Sequence, residues 1–384
     1  MNQKRMELYG ELEKRIGRTP LVKFLGEVPN ENAIYIKREC DNPFGSHYDR
    51  VYLELFRHHE DSGNIQPGNK VLETTTGAAG VSFAGIGKKL GYDCYVALPA
   101  GGEKAREDAI KQQLPSEDHL ILTPAEHYVS GFPNFLKRFL VRNKDYFFLN
   151  HSMGPMDKHT GRYTNNEITL MALEVIADEV MREKIEIAYF VPAVGNGSSV
   201  LGPARVFKKI DEILYGAIGG IWEEPSSFGG VAMKDLQDTA DYIDSVRTKT
   251  IAFETVQSAV AFDQLHPGEY EKRFSIKPGT LSRHRLPGTS YQGINFPHIK
   301  NSIEGRIIDE VILVSDSKMD EEYQRLTGMA DTRQLPHWDV HFAGHKDLGR
   351  STRAGISVAL DIAKRAKGKN ILVIGYDKAE RYDN

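Results

Sequence analysis

Short runs of apolar, β-branched residues alternate along this chain with stretches whose apolar side chains recur every three or four positions. The runs at 33–37 (AIYIK), 70–73 (KVLE), 95–98 (YVAL) and 119–122 (HLIL) predict short buried strands. So do those at 187–194 (IAYFVPAV), 250–254 (TIAFE), 310–315 (EVILVS) and 370–376 (NILVIGY). Amphipathic helices fall between them. Over 165–184, Ile168, Met171, Ala172, Val175, Ile176 and Val180 share one face. Over 351–368, Ile356, Ala359, Leu360 and Ala363 form the stripe, and Gly368 is the predicted stop. Strands alternating with helices imply parallel pairing through right-handed crossovers. Uninterrupted apolar strands fit parallel sheets covered on both faces. The expected class is α/β.

Two stretches fit this rhythm less well. Residues 213–249 hold Trp222, a Gly-rich patch and an acidic helix-like run, while 264–306 is rich in Pro, Gly, His and Arg and reads as a long functional loop. A length of 384 residues exceeds one simple core and suggests two domains. A net charge of −4 without a basic run argues against a nucleic-acid partner. Cys40 and Cys94 are too few for a disulfide framework or a metal knuckle, and His151, His159 and His298 lack metal-ligand spacing. The N-terminus has no apolar signal core, and no run reaches the roughly 18 apolar residues of a membrane span. The expectation is a cytoplasmic protein with no membrane or nucleic-acid partner and no metal.

Two loops carry candidate chemistry. Gly195, Asn196, Gly197, Ser198 and Ser199 follow a predicted strand and open a helix. That geometry aims backbone N–H groups and the positive helix end at an anion, although a tight turn with no ligand has the same pattern. Val200 stands where a dinucleotide fingerprint needs its third glycine, and no Gly-Lys-Ser/Thr ending makes a P-loop. Earlier, Thr74, Thr75, Thr76 and Gly77 also lie between a strand and a helix. Their hydroxyls and backbone donors suit a carboxylate or second anion, and ordinary threonine capping is the plainer reading.

These loops sit within an ordered pattern: IGRTPLV (16–22), IYIKRECDNPFGSHYDR (34–50), ETTTGAAG (73–80), AVGNGSSVLG (193–202), FETVQS (253–258), YQGI (291–294), DEVILVSD (309–316) and GKNILVIGYDKAERY (368–382). Together they resemble the cysteine synthase and cystathionine β-synthase family of pyridoxal-phosphate enzymes, over about residues 16–382. The resemblance implies a tryptophan synthase β-like fold with two α/β domains and the site in the cleft between them. It implies a larger domain at 10–44 and 170–384 and a smaller one at 45–169. The 195–199 loop would be the cofactor-phosphate loop and 74–77 the substrate-carboxylate loop. A homodimer binding a small-molecule ligand is also implied.

Three positions depart from the family. Tyr48 stands where the segment Gly-Ser-x-Lys-Asp-Arg carries its Schiff-base lysine, and a phenol cannot form that link. Ala78 replaces the asparagine that contacts the cofactor ring, and Lys378 replaces the small hydroxyl residue near the pyridine nitrogen. Pyridoxal phosphate thus remains a candidate without a covalent Schiff base, beside some other phosphorylated ligand. Tyr48 and Lys378 are the candidate catalytic side chains, the first as donor or proton shuttle or as mere filler. Adjacent His47 is expected to pack behind Tyr48 instead of sharing its pocket. Lys37 reads as structural or solvent-facing, Asp49 and Arg50 as a cap or ion pair, the acidic Asp316 and Asp320 region as a helix start, and Arg283, His284 and Arg285 as solvated loop charges or, less commonly, a site for an anionic substrate. The expected function is a cysteine-synthase-like enzyme on an amino-acid-like, phosphate- or carboxylate-bearing molecule. The alternatives are a non-catalytic binding protein and a pyridoxal-phosphate β-replacement or elimination enzyme with a relocated Schiff base.

Overall fold

The computed structural model describes residues 2–209, 247–280, 284, 286, 288, 294–314 and 347–382. Most of the 213–249 segment, Asp316, Asp320, Arg283 and Arg285 lie outside them. The described strands form two sheets. A six-stranded sheet has the order β1 (Leu21–Lys23), β2 (Ala33–Lys37), β10 (Asn370–Ile374), β7 (Tyr189–Val191), β8 (Lys249–Thr255), β9 (Glu310–Val314). Its pairs are parallel except β1 with β2. A four-stranded, all-parallel sheet has the order β5 (Leu120–Thr123), β4 (Asp93–Pro99), β3 (Lys70–Thr74), β6 (Tyr146–Phe148). The chain is α/β, as its pattern predicts.

Several boundaries differ from the sequence reading. The run at 187–194 yields only a three-residue β7, because Pro192 lacks an N–H for the ladder. Beyond it Val194 N still donates to Phe253 O at 2.8 Å, which steers the chain into the 195–199 loop. In α6 (Glu167–Arg182) the buried face carries Leu170, Leu173, Ile176, Ala177 and Val180, while Met171 is 60% exposed and Val175 38%. The true stripe is therefore rotated from the predicted one. The helix Arg350–Arg365 ends before Gly368, whose φ of +64° belongs to the following turn. The 264–306 stretch is not one long loop, since it contains helices Glu269–Phe274 and Pro297–Glu304. Pro297 suits a first helical position, where no N–H is needed.

A buried charge cluster joins these parts. Arg50 on α2 (Tyr48–Asp61) donates to Glu39 from Nε at 2.7 Å and Nη2 at 2.9 Å. It also donates to both carboxylate oxygens of Glu179 on α6 at 2.8 Å. Lys37 at the end of β2 donates to Glu179 at 2.5 Å, and Thr19 donates to Glu39 at 2.6 Å. Two carboxylates and two cations thus balance one another away from water, the condition under which buried charges persist. Lys37 is structural, as expected. The cluster pins the first turn of α2, and with it Tyr48.

Candidate functional site

A cavity of about 900 Å³ is walled by the four-stranded sheet at Thr74 and Phe148, by α2 and α5 (Phe132–Arg142), and by residues that follow strands of the six-stranded sheet, among them Ala193, Asn196 and Tyr376. Thr74, Thr75, Thr76, Gly195, Asn196 and Ser199 line it, so the two loops face one space. Gly77, Gly197 and Ser198 do not line it and instead shape the loops from behind. Asn196 Oδ1 accepts from Ser198 N at 2.9 Å and Ser198 Oγ at 2.7 Å, folding the 195–199 loop onto a helix that begins at residue 198. Gly197 has φ +89°, and a Cβ there would lie 2.7 Å from Ile299 N. Only glycine meets both conditions. In the other loop Gly77 N donates to Thr75 Oγ1 at 3.0 Å, and α3 starts at Ala78 and runs to Leu90.

Tyr48 is the first residue of α2, and both it and His47 line the cavity with ring centroids 4.1 Å apart. This corrects the expectation that His47 packs behind. The N-terminal end of α2 itself points at the cleft, so neighbours that diverge around the axis both reach it. Neither ring nitrogen of His47 makes a hydrogen bond among the described residues. Burial pushes its pKa down to about 4, leaving a neutral imidazole at neutral pH.

Asp49 accepts from Phe44 N at 2.7 Å and Ser82 Oγ at 2.6 Å, and forms no ion pair among the described residues. Burial raises its carboxyl to about 7, well above the ordinary value, and the two hydrogen bonds only partly oppose this. Between about pH 4 and 7 the folded chain holds a proton that the unfolded chain has released, so this group makes stability fall as pH rises. The loss is on the order of 4 kcal/mol across that window. Urea unfolding at pH 5 and 8 is expected to show about 3 kcal/mol of it, and Asp49→Asn is expected to flatten it. An unchanged slope in that variant would refute the assignment.

Lys378 is not among the residues lining the cavity. Its ammonium stands 4.0 Å from Asp41, and its backbone pairs with Leu348. The neighbouring Asp377 faces the cleft instead, where it meets Arg106 Nη2 at 3.0 Å and Tyr382 Oη at 3.0 Å. This places the candidate ammonium outside the site, one residue away from the side chain that enters it. Among described residues the only lysines on the cavity wall are Lys137 and Lys144, both on the exposed rim. Sequence reasoning also missed Tyr376, which lines the cavity and accepts from Ala193 N at 2.9 Å, and the pair Glu73 and His151. Glu73 was visible as an acid within an apolar strand. His151 had no local signal. Among described residues no metal-ligand cluster occurs, and no helix is long and apolar enough to cross a membrane.

Comparison with known proteins bears on this cleft. The family model described as pyridoxal-phosphate dependent enzyme matches residues 12–328. A cysteine synthase of Staphylococcus aureus is 29% identical over 196 residues, spanning 50% of this chain and 59% of that relative. The match thus covers well under two thirds of that protein's length. An O-acetylserine dependent cystathionine beta-synthase from Helicobacter pylori superposes with a TM-score of 0.65 at 21% identity, over 97% of this chain and 96% of its own. O-ureido-L-serine synthase superposes with a TM-score of 0.65 at 18% identity, over 96% of this chain and 92% of its own. At these identities the superpositions speak for the fold, which is tryptophan synthase β-like.

Proposed function

The chain belongs to the family of pyridoxal-phosphate dependent enzymes, and on that premise we propose that it is a cysteine-synthase-like enzyme which has dispensed with the covalent lysine link. Its ligand would be an amino-acid-like small molecule bearing a carboxylate or phosphate. One observation carries the reading: two anion-suited loops open on the same cavity, while Tyr48 and not a lysine stands at the start of α2 beside them.

The residues present fit one end of the cofactor and not the other. Gly195, Asn196 and Ser199, with Gly197 and Ser198 behind them, suit a phosphate group, because a Cβ at Gly195 or Gly197 would collide with backbone at 2.5 or 2.7 Å. No described amine reaches the interior beside Tyr48, so no step through the cofactor's aldehyde follows from this site. Thr74, Thr75 and Thr76 would seat a carboxylate. Tyr48 would supply a phenol donor, and Lys378 has no part. The proposed domain limits remain 10–44 with 170–384, and 45–169, and a homodimer remains the proposed assembly. Relatives that act on serine derivatives support an enzyme over a binding protein.

Calorimetric titration with pyridoxal phosphate and with pyridoxal tests the phosphate cradle. Binding of the first and not the second is expected. Gly197→Ala is expected to weaken it at least about tenfold, since strain and the clash near Ile299 N together cost about 2–3 kcal/mol. Equal binding of both compounds would refute the cradle.

A further inference from the structure

Beside Tyr48 the cleft wall holds an imidazole, backed by a buried carboxylate, that the family reading leaves without a role. Glu73 is fully buried on β3, immediately before the 74–77 loop. It accepts from Thr74 N at 2.8 Å and His151 N at 3.2 Å, and its Oε2 lies 3.2 Å from His151 Nδ1. No Lys or Arg pairs with it among the described residues, so His151 is the group placed to carry its countercharge. Tyr52 Oη lies 3.0 Å from the same Nδ1. The opposite nitrogen, Nε2, meets Ser152 Oγ at 3.2 Å, and both residues line the cavity. A carboxylate at one ring nitrogen, and at the other a single hydroxyl on the cavity wall, is an arrangement that orients a proton-accepting histidine.

The other groups around it cannot do this. His47 is buried without a hydrogen-bond partner or a carboxylate at its ring, and its pKa is pushed down to about 4. His298 accepts from Asn166 N at 3.0 Å through Nε2, and burial lowers its pKa to about 3. Both neighbouring imidazoles therefore stay neutral and do not repel a charge on His151. Tyr48 packs edge-on to His151 with ring centroids 5.3 Å apart, and Tyr52 and Ser152 are neutral hydroxyls. Glu73 alone supplies a full charge at the ring among the described residues.

We propose that His151, oriented by Glu73, takes the proton from the α-ammonium of an amino acid whose carboxylate sits on the 74–77 loop. This rests on the amino-acid reading of the cleft. An N–H bond of the ligand ammonium breaks, its electron pair stays on the ligand nitrogen, and the proton forms an N–H bond at His151 Nε2. The bound ligand keeps a neutral, nucleophilic amine, and the imidazolium is paired with Glu73.

Uniformly 15N-labelled protein, titrated with L-serine and with O-acetyl-L-serine at pH 8, tests this by NMR. The His151 signal is identified by its loss in His151→Gln. Occupancy is read from the amide signals of Thr75 and Gly77. On binding, the His151 ring is expected to change from neutral imidazole to imidazolium, while His47 stays neutral. In Glu73→Gln the same ligand is expected to bind and leave His151 neutral. Should that variant fail to fold, the wild-type titration decides alone. Amide shifts with an unchanged neutral His151 would overturn the proton transfer and leave the ligand class standing. No amide shift with either compound would overturn the amino-acid reading and this inference with it.

Discussion

Tyr48→Lys is expected to give a protein that fixes pyridoxal phosphate covalently at position 48, whereas the wild-type chain is expected to fix none. The backbone there is already set for such a group. Asp49 holds Phe44 N, Ser46 Oγ accepts from Tyr48 N at 3.2 Å, and Arg50 is anchored in the buried charge cluster. None of these contacts uses the Tyr48 ring, which is only partly buried and faces the cavity. The exchange leaves the helix start intact and gives up the ring's packing on His47 and His151, at centroid distances of 4.1 and 5.3 Å. His47 lies beside position 48 and Tyr376 packs on His47, and neither neutral ring adds positive charge that would oppose an amine. Borohydride treatment of the variant with pyridoxal phosphate, followed by peptide mass analysis, reads the result. An adduct on a rim lysine such as Lys137 instead of position 48 would contradict the proposed register.

Arg50→Ala is expected to lower stability by about 3–5 kcal/mol, the cost of leaving buried carboxylates without their partner. Arg50 makes four hydrogen bonds to Glu39 and Glu179, and Glu39 is fully buried. Burial alone would raise both carboxyl groups, but the guanidinium outweighs it, holding Glu39 below the ordinary range and Glu179 at about 2. A depressed native pKa gives stability that is present above about pH 4.3 and is lost as pH falls toward 2. The acid limb thus belongs to Glu39 and Glu179, and the decline between about pH 4 and 7 to Asp49. Urea unfolding at neutral pH measures the first effect. A change below about 1 kcal/mol would place the cluster among exposed pairs, contrary to its burial.

The sheets were legible because a strand covered on both faces carries a continuous apolar run, as at 33–36 in β2, 251–253 in β8 and 371–374 in β10. Short edge strands were not: β1 and β6 have three residues each, too few for a period to register. The rotated stripe of α6 has a simple cause. Met171 and Val175 are apolar but exposed, and a face is fixed by what packs on it, not by hydropathy alone. Both anion-suited loops could be read from glycines and threonines between strand and helix, since local geometry demands those residues. Glu73 and His151 could not be paired in advance, because their 78-residue separation is closed only when β6 lies beside β3. Lys378 fell on the wrong side for an equally local reason, as one residue of extended chain reverses which side chain enters the cleft.

The central claim is that this cleft binds its ligand without a lysine-linked cofactor. The most direct test is the absorbance spectrum of the wild-type protein with added pyridoxal phosphate, before and after borohydride, with mass spectrometric mapping of every lysine. The account predicts no stable reducible chromophore and no adduct at a single site. A stoichiometric adduct on one lysine would contradict it, and that residue would mark a relocated link.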